Sequence, residues 1–286
     1  MRIAWRLGLF AVLAIIVGAC GSSPSPTAPP ADRVSDPTAA RSEVQLPGAG
    51  VNLGGVLLRP NASGLRPAIV VLHGWQESGV NGAARIEPVA AHFASLGYVA
   101  LGLSMRGWPP SGGVDDCGLR QPDDIAAAFN WLVAQPGVDQ TRLAVLGFSQ
   151  GGQVALLTGT RSTTLSAIVA YGPVTLVERW KQTVAPEFVP SIPNYITAVC
   201  EPGGVNQRSP VTQAARISAP VLLVHGDADT RVPTEQSLLM RDALQQGSGQ
   251  VQLFLLAGAA HNLTAEQFQT SLPIVERFLA ATLGLQ

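Results

Sequence analysis

The chain has 286 residues, 47% of them apolar, which suits one α/β domain with some additions and a large buried core. Charged residues make up only 13% and balance to a net charge of −1, with no basic run or aromatic-interleaved basic stripe, so nucleic-acid binding is not expected. There is no phosphate-cradling loop and no Cys/His cluster at zinc spacing, so the chain is read as needing neither a metal nor an organic cofactor.

Residues 1–19 read as a targeting segment. Arg2 and Arg6 supply a positive start, and the apolar run Leu7 to Val17 is too short to span the ~30 Å hydrocarbon core of a membrane as a helix. The run closes on Val17-Gly18-Ala19-Cys20, which resembles a bacterial lipobox and implies cleavage before Cys20 and lipidation of that residue. A Pro/Ser-rich stretch follows, so residues 20–41 read as a flexible tether to the membrane. The expected location is therefore extracytoplasmic, in the bacterial cell envelope. In such an oxidising space the two remaining cysteines, Cys117 and Cys200, form an even pair and a candidate disulfide.

From residue 42 to 286 the pattern is globular. Two short strands, Glu43 to Leu46 and Gly55 to Arg59, flank a Gly-rich turn. Apolar strands then alternate with helical periodicity. The strand Ala68 to Leu72 is followed by a helix Ala84 to Leu96, and the strand Tyr98 to Leu103 by a helix Asp123 to Ala134. Further strands are expected at Leu143 to Leu146, Leu165 to Tyr171, Val221 to His225 and Val251 to Leu256. Helices near Glu235 to Leu244 and Thr264 to Leu283 complete the set. Near-continuous apolar strands separated by helices define a mostly parallel sheet covered on both faces. Residues 172–219, after the sixth strand, lack clear periodicity but carry Trp180, Phe188 and Tyr195, and read as a lid or pocket wall.

The chemistry concentrates at Gly147-Phe148-Ser149-Gln150-Gly151, between an apolar strand and a helical segment. In that context G-x-S-x-G is a nucleophile elbow, in which tight packing demands glycine on both sides and the serine takes a strained backbone. A triad in the chain order Ser, acid, His leaves few partners. Of the four histidines, His73, His92, His225 and His261, only the last two follow Ser149, and no aspartate lies between Ser149 and His225. His261, in a loop after the last strand, is the expected base. The acid is expected in His225-Gly-Asp-Ala-Asp-Thr-Arg-Val-Pro233, with Asp229 preferred to Asp227, which suits a bond to loop backbone. Asp242 reads as a solvated helix residue, and Glu178, Glu187 and Glu201 fall in the lid-like segment. The oxyanion donors are expected to be the backbone N–H of Gln150 and that of Trp75, with Gln76 as the alternative to Trp75. His73 and His225 read as structural, and His92 as a residue of the helix surface.

These segments, together with Arg106-Gly-Trp-Pro-Pro-Ser-Gly-Gly113, Arg208-Ser-Pro-Val211 and Gly258-Ala-Ala-His261, resemble the α/β-hydrolase superfamily over roughly Val51 to Gly284. The prolyl-oligopeptidase-type and dienelactone-hydrolase-like branches are the most similar. The resemblance implies an α/β-hydrolase fold and a serine hydrolase carrying Ser149, Asp229 and His261. Its substrate would be a small molecule or peptide, cleaved at an ester or amide through an acyl-enzyme. Full-length oligopeptidases carry a large propeller for which this chain has no room. An acyltransferase using the same triad on an envelope acceptor, or a non-catalytic binding lipoprotein, are the alternative functions.

Overall fold

The computed structural model of the protein describes residues 39–247 and 249–284. The expected targeting segment, Cys20 and nearly all of the expected tether lie outside the described residues. In chain order the main elements are β1 (Ala40–Pro47), β2 (Asn52–Arg59), β3 (Arg66–Leu72), α1 (Gly82–Ser95), β4 (Val99–Leu103), α2 (Gln121–Val133), β5 (Val138–Phe148), α3 (Gln150–Gly159) and β6 (Ala167–Tyr171). After these come α4 (Val177–Thr183), α5 (Ser191–Tyr195), β7 (Val221–Gly226), α6 (Glu235–Gln246), β8 (Val251–Leu256) and α7 (Ala265–Leu283).

The strands form one eight-stranded sheet in the order β1-β2-β4-β3-β5-β6-β7-β8. β1, β2 and β4 pair antiparallel, and every pairing from β4 through β8 is parallel. Alternation along the strands splits the core into two layers. Val70 and Leu72 of β3 pack with α2, α3 and α6, whereas Ile69 and Val71 pack with α1 and α7. Both faces of the central strands are dry, which explains why they read as continuous apolar runs rather than alternating ones.

Of the boundaries that differ from the sequence expectation, two lengthen the sheet's ladders most tellingly. β1 starts at Ala40, so residues 40 and 41, expected to end the tether, pair with Arg59 and Leu58. β5 starts at Val138, which pairs with Arg66 across a register shift. Its first turn of chain is polar, from Asp139 to Arg142, so the apolar signal began only at Leu143. The antiparallel edge is tied down by a buried ion pair. Arg106 Nε donates to Asp124 Oδ2 at 2.5 Å, while Asp124 Oδ1 accepts from Ala49 N and Arg106 Nη2 donates to Ala49 O. That joins the β1–β2 turn, the loop after β4 and the start of α2.

Residues 172–219 are not a detached excursion. Val174, Val177, Trp180, Val184, Ile196 and Cys200 form a third apolar cluster, which also takes in Cys117 and Val232. Cys117 and Cys200 are joined by a disulfide that fastens this segment to the loop before α2. Arg208 reinforces the join. It is buried, and it donates to the carbonyls of Asp116, Gly204 and Pro202. The disulfide spans a sequence separation of 83 residues. Chain-entropy reasoning puts its contribution at up to about 4–5 kcal/mol. Replacing both cysteines by serine is expected to lower the urea midpoint, with a loss of unfolding free energy within that limit. An unchanged midpoint would show that the segment is held by packing alone.

Candidate active site

The site is built at the carboxyl ends of β3, β5, β7 and β8. At the end of β5 the chain turns directly into α3, with Ser149 between them at φ 52° and ψ −114°. That positive φ costs an L-residue on the order of 1–3 kcal/mol. The flanking glycines are required by space. A Cβ on Gly147 would stand 2.1 Å from the carbonyl oxygen of Gly151, and one on Gly151 would stand 2.4 Å from that of His73. Ser149 N donates to Tyr171 O at 2.7 Å, which fixes the elbow to β6.

Ser149, His261 and Asp229 are brought together. Asp229 Oδ2 lies 2.7 Å from His261 Nδ1, and His261 Nε2 lies 2.9 Å from Ser149 Oγ. A carboxylate can only accept, so in the neutral ring Nδ1 carries the hydrogen and Nε2 turns its lone pair to the serine hydroxyl. Asp229 is buried, and both its oxygens are engaged. Oδ1 accepts from Arg231 N and Val232 N at 3.0 and 2.9 Å, and Oδ2 also lies 3.2 Å from His225 Nε2. Burial by itself would raise its pKa. The hydrogen bonds from His225 and His261, the charge on His261 and the Val232 N–H outweigh that and hold it at about 2.

The other residues considered from sequence stand elsewhere. Asp227 Oδ1 accepts from Gly258 N at 2.6 Å, a bond to loop backbone. Asp242 pairs with Arg241, Glu201 with Lys181, and Glu178 accepts from Gln182. His92 departs from its surface reading. It is half-buried, and its Nε2 meets Glu276 Oε1 at 2.8 Å, bridging α1 to α7. The bridge was invisible in sequence because its partner is 184 residues away.

His73 and His225 are structural in a specific way. Met105 N donates to His73 Nε2, so Nδ1 carries the hydrogen and donates to Gly74 O at 2.7 Å. The peptide unit is planar and trans, so holding the Gly74 carbonyl turns the Trp75 N–H to the opposite side. The loop is held again where Trp108 Nε1 donates to Gln76 O. Gly74 packs directly over the elbow, where an added Cβ would lie 3.2 Å from Ser149 Cβ. Gln150 begins α3, so its N–H has no acceptor within the helix. His225 donates from Nε2 to Val232 O at 2.8 Å and accepts from Ser237 Oγ at Nδ1. It thereby braces the acid loop from beneath.

A polar cluster missed in the sequence lies beside the elbow. Asp115 Oδ1 accepts from the Gln150 side chain at 2.7 Å, and Oδ2 accepts from Tyr195 Oη at 2.7 Å. Burial pushes the Asp115 carboxyl up, against the pull of these donors. The cluster links α5 to the residue after Ser149. No local motif signals it, because its members come from three separated segments.

Above the triad is a cavity of about 890 Å³, lined among others by Trp75, Trp180, Phe188, Tyr195, Arg231 and Phe268. Arg231 places its guanidinium 5.1 Å over the centre of the Phe188 ring. Among the described residues no group of three or more His, Cys, Asp or Glu side chains could hold a metal ion, and no helix is long and apolar enough to cross a membrane.

A mostly parallel sheet with a serine held on a strand–helix elbow against a histidine and an acid defines a serine hydrolase of the α/β-hydrolase fold. Residues 87–285 match the prolyl oligopeptidase family, and the chain belongs to it. Among curated proteins it is 28% identical over 205 residues to the uncharacterized peptidase YtmA of Bacillus subtilis, covering 69% of this chain and 76% of that one. It is 26% identical over 255 residues to the acylamino-acid-releasing enzyme of Mus musculus, covering 83% of this chain but only 34% of that one. Among solved structures, a puromycin-hydrolyzing peptidase of Mycobacterium tuberculosis superposes with a TM-score of 0.76 at 22% identity, over 87% of this chain and 40% of that one. An esterase of Pyrococcus furiosus does so with a TM-score of 0.69 at 21% identity, over 86% and 92%. The chain thus spans well under half of the acylamino-acid-releasing enzyme and of the puromycin-hydrolyzing peptidase.

The buried histidine at the end of β3 makes folding sensitive to acid. Burial pushes His73 from 6.5 down to about 4, against the pull of its bond to Gly74. Its contribution is complete above pH 6.5 and declines as pH falls to 4, because there the unfolded chain binds the proton and the folded chain does not. The loss should be about 3 kcal/mol in order of magnitude. Asp229 adds a second decline between 3.8 and about 2. Denaturant titrations across these windows should show both declines, and His73→Asn should flatten only the upper one. An equal upper slope in the variant would remove His73 as its source.

Proposed function

We propose that the protein cleaves a carboxylic ester or amide through an acyl-enzyme on Ser149. His261 Nε2 takes the serine proton as Oγ attacks the carbonyl carbon. The tetrahedral oxyanion is received by the N–H groups of Gln150 and Trp75, and the proton passes to the leaving group as it departs. Water then repeats the sequence in reverse and frees the acid. Asp229 holds the imidazole in the tautomer that accepts from serine and stabilises the imidazolium that forms. The observation that carries this reading is the continuous Asp229–His261–Ser149 hydrogen-bond chain at the floor of an open cavity.

The prolyl oligopeptidase family supports hydrolysis of peptides or esters. Acylamino-acid-releasing enzymes and an esterase stand together among the similar proteins, which is consistent with a small acylated substrate. Neither the site nor these relatives favours an envelope alcohol over water as the acyl acceptor. We further propose that the enzyme works outside the cytoplasm, anchored through Cys20. The Cys117–Cys200 disulfide supports an oxidising compartment.

A fluorophosphonate probe is expected to label the wild-type protein and not Ser149→Ala. Asp229→Asn, which favours the wrong tautomer, is expected to lower kcat by roughly 10⁴-fold with the fold intact. Labelling of Ser149→Ala equal to that of the wild type would overturn the assignment.

A further inference from the structure

The walls of the cavity belong to two apolar clusters of different character. On the lid side are Trp180, Phe188, Ile192 and Val232, accompanied by polar groups, namely Ser191, the Tyr195 hydroxyl and the half-buried Arg231 guanidinium. On the other side are Ile86 and Val89 of α1, Phe148, Leu256, Leu263 and Phe268. Two polar groups on that second wall are already bonded. The Tyr171 hydroxyl meets Ser271 Oγ at 2.8 Å, and Thr264 Oγ1 accepts from Gln267 N as the cap of α7. Arg85, Glu77 and Asn262, which line the cavity nearby, are exposed, and the Gln76 side-chain nitrogen is buried without a partner at the loop after β3.

The chemistry gives the two walls different substrate halves. The leaving group receives its proton from His261 Nε2, so it departs on the histidine side of the tetrahedral carbon, away from the oxyanion donors. Leu263 follows His261 by two residues, and Phe268 stands in the first turns of the helix that this loop enters. Both belong to the second wall. We infer that this wall is the leaving-group subsite and that it selects an uncharged apolar alcohol or amine. The acyl half then lies against Arg231 and the lid. A peptide leaving group would bring amides and a carboxylate against the six apolar side chains of this wall, where their lost hydration would be replaced only at its edge, by Arg85 and Asn262.

This inference rests on Ser149 being the nucleophile, which phosphonate labelling tests separately. The full chain is assayed on acetate esters of ethanol, butanol, hexanol and octanol, whose leaving-group reactivities are nearly equal. A second series holds the alcohol at ethanol and lengthens the acid. Each buried methylene is worth about fourfold. On that scale kcat/KM is expected to rise at least thirtyfold from ethyl to hexyl acetate. Val89→Asp and Phe268→Asp, both at half-buried positions, are expected to cut the hexyl-to-ethyl ratio at least tenfold, and Ile192→Asp to act on the acid series instead. Two outcomes overturn the inference while Ser149 still labels: a flat or absent response along the alcohol series, or a response lost in Ile192→Asp and kept in the other two variants. Failure of the labelling itself would instead remove the hydrolase mechanism.

Discussion

The interpenetration of backbone at the elbow governs the site. β5, the start of α3 and the end of β3 approach so closely that neither Gly147 nor Gly151 has room for a single carbon. This packing holds Ser149 at a positive φ that a free chain would avoid. A residue in that conformation points its side chain out of the turn, and the helix beginning one residue later leaves the Gln150 N–H beside it without an acceptor. Exposure of the hydroxyl and a neighbouring backbone N–H left without a helix acceptor are two results of one steric constraint.

The remaining groups reach the serine because loops that could wander are fixed from below. His73 grips the carbonyl of Gly74 and so aims the next N–H. His225 lies under the acid loop and adds a donor near Asp229 Oδ2. The Thr264–Gln267 capping box, whose cap lies three residues after His261, fixes the start of α7. Two of the four histidines thus take no proton from substrate, yet they orient the atoms that would. Each of these rings is bonded at both nitrogens, donating at one and accepting at the other.

The lid-like segment shows how an irregular stretch becomes a specific wall. Its short helices bury a small core of their own, the disulfide ties it to the loop before α2, and Asp115 joins Tyr195 to Gln150. Trp180 Nε1 also donates to Arg231 O, so the wall is attached to the acid loop as well. Pocket shape and donor position are therefore coupled through common side chains rather than set independently.

The elbow, the chain order of the triad and the alternation of dry strands with helices were legible in the sequence. Each depends on local spacing or on which residues follow which, and both survive without coordinates. The candidate disulfide was legible too, from the parity of the cysteines. Only the tertiary structure decided that His92 meets Glu276, that the polar start of β5 is still strand, and that Asp115 lies beneath the elbow. It alone set two separate apolar clusters on opposite walls of the cavity. Those features are made by residues tens to hundreds of positions apart, and hydrophobic periodicity carries no information about which distant side chains a closed sheet will bring face to face.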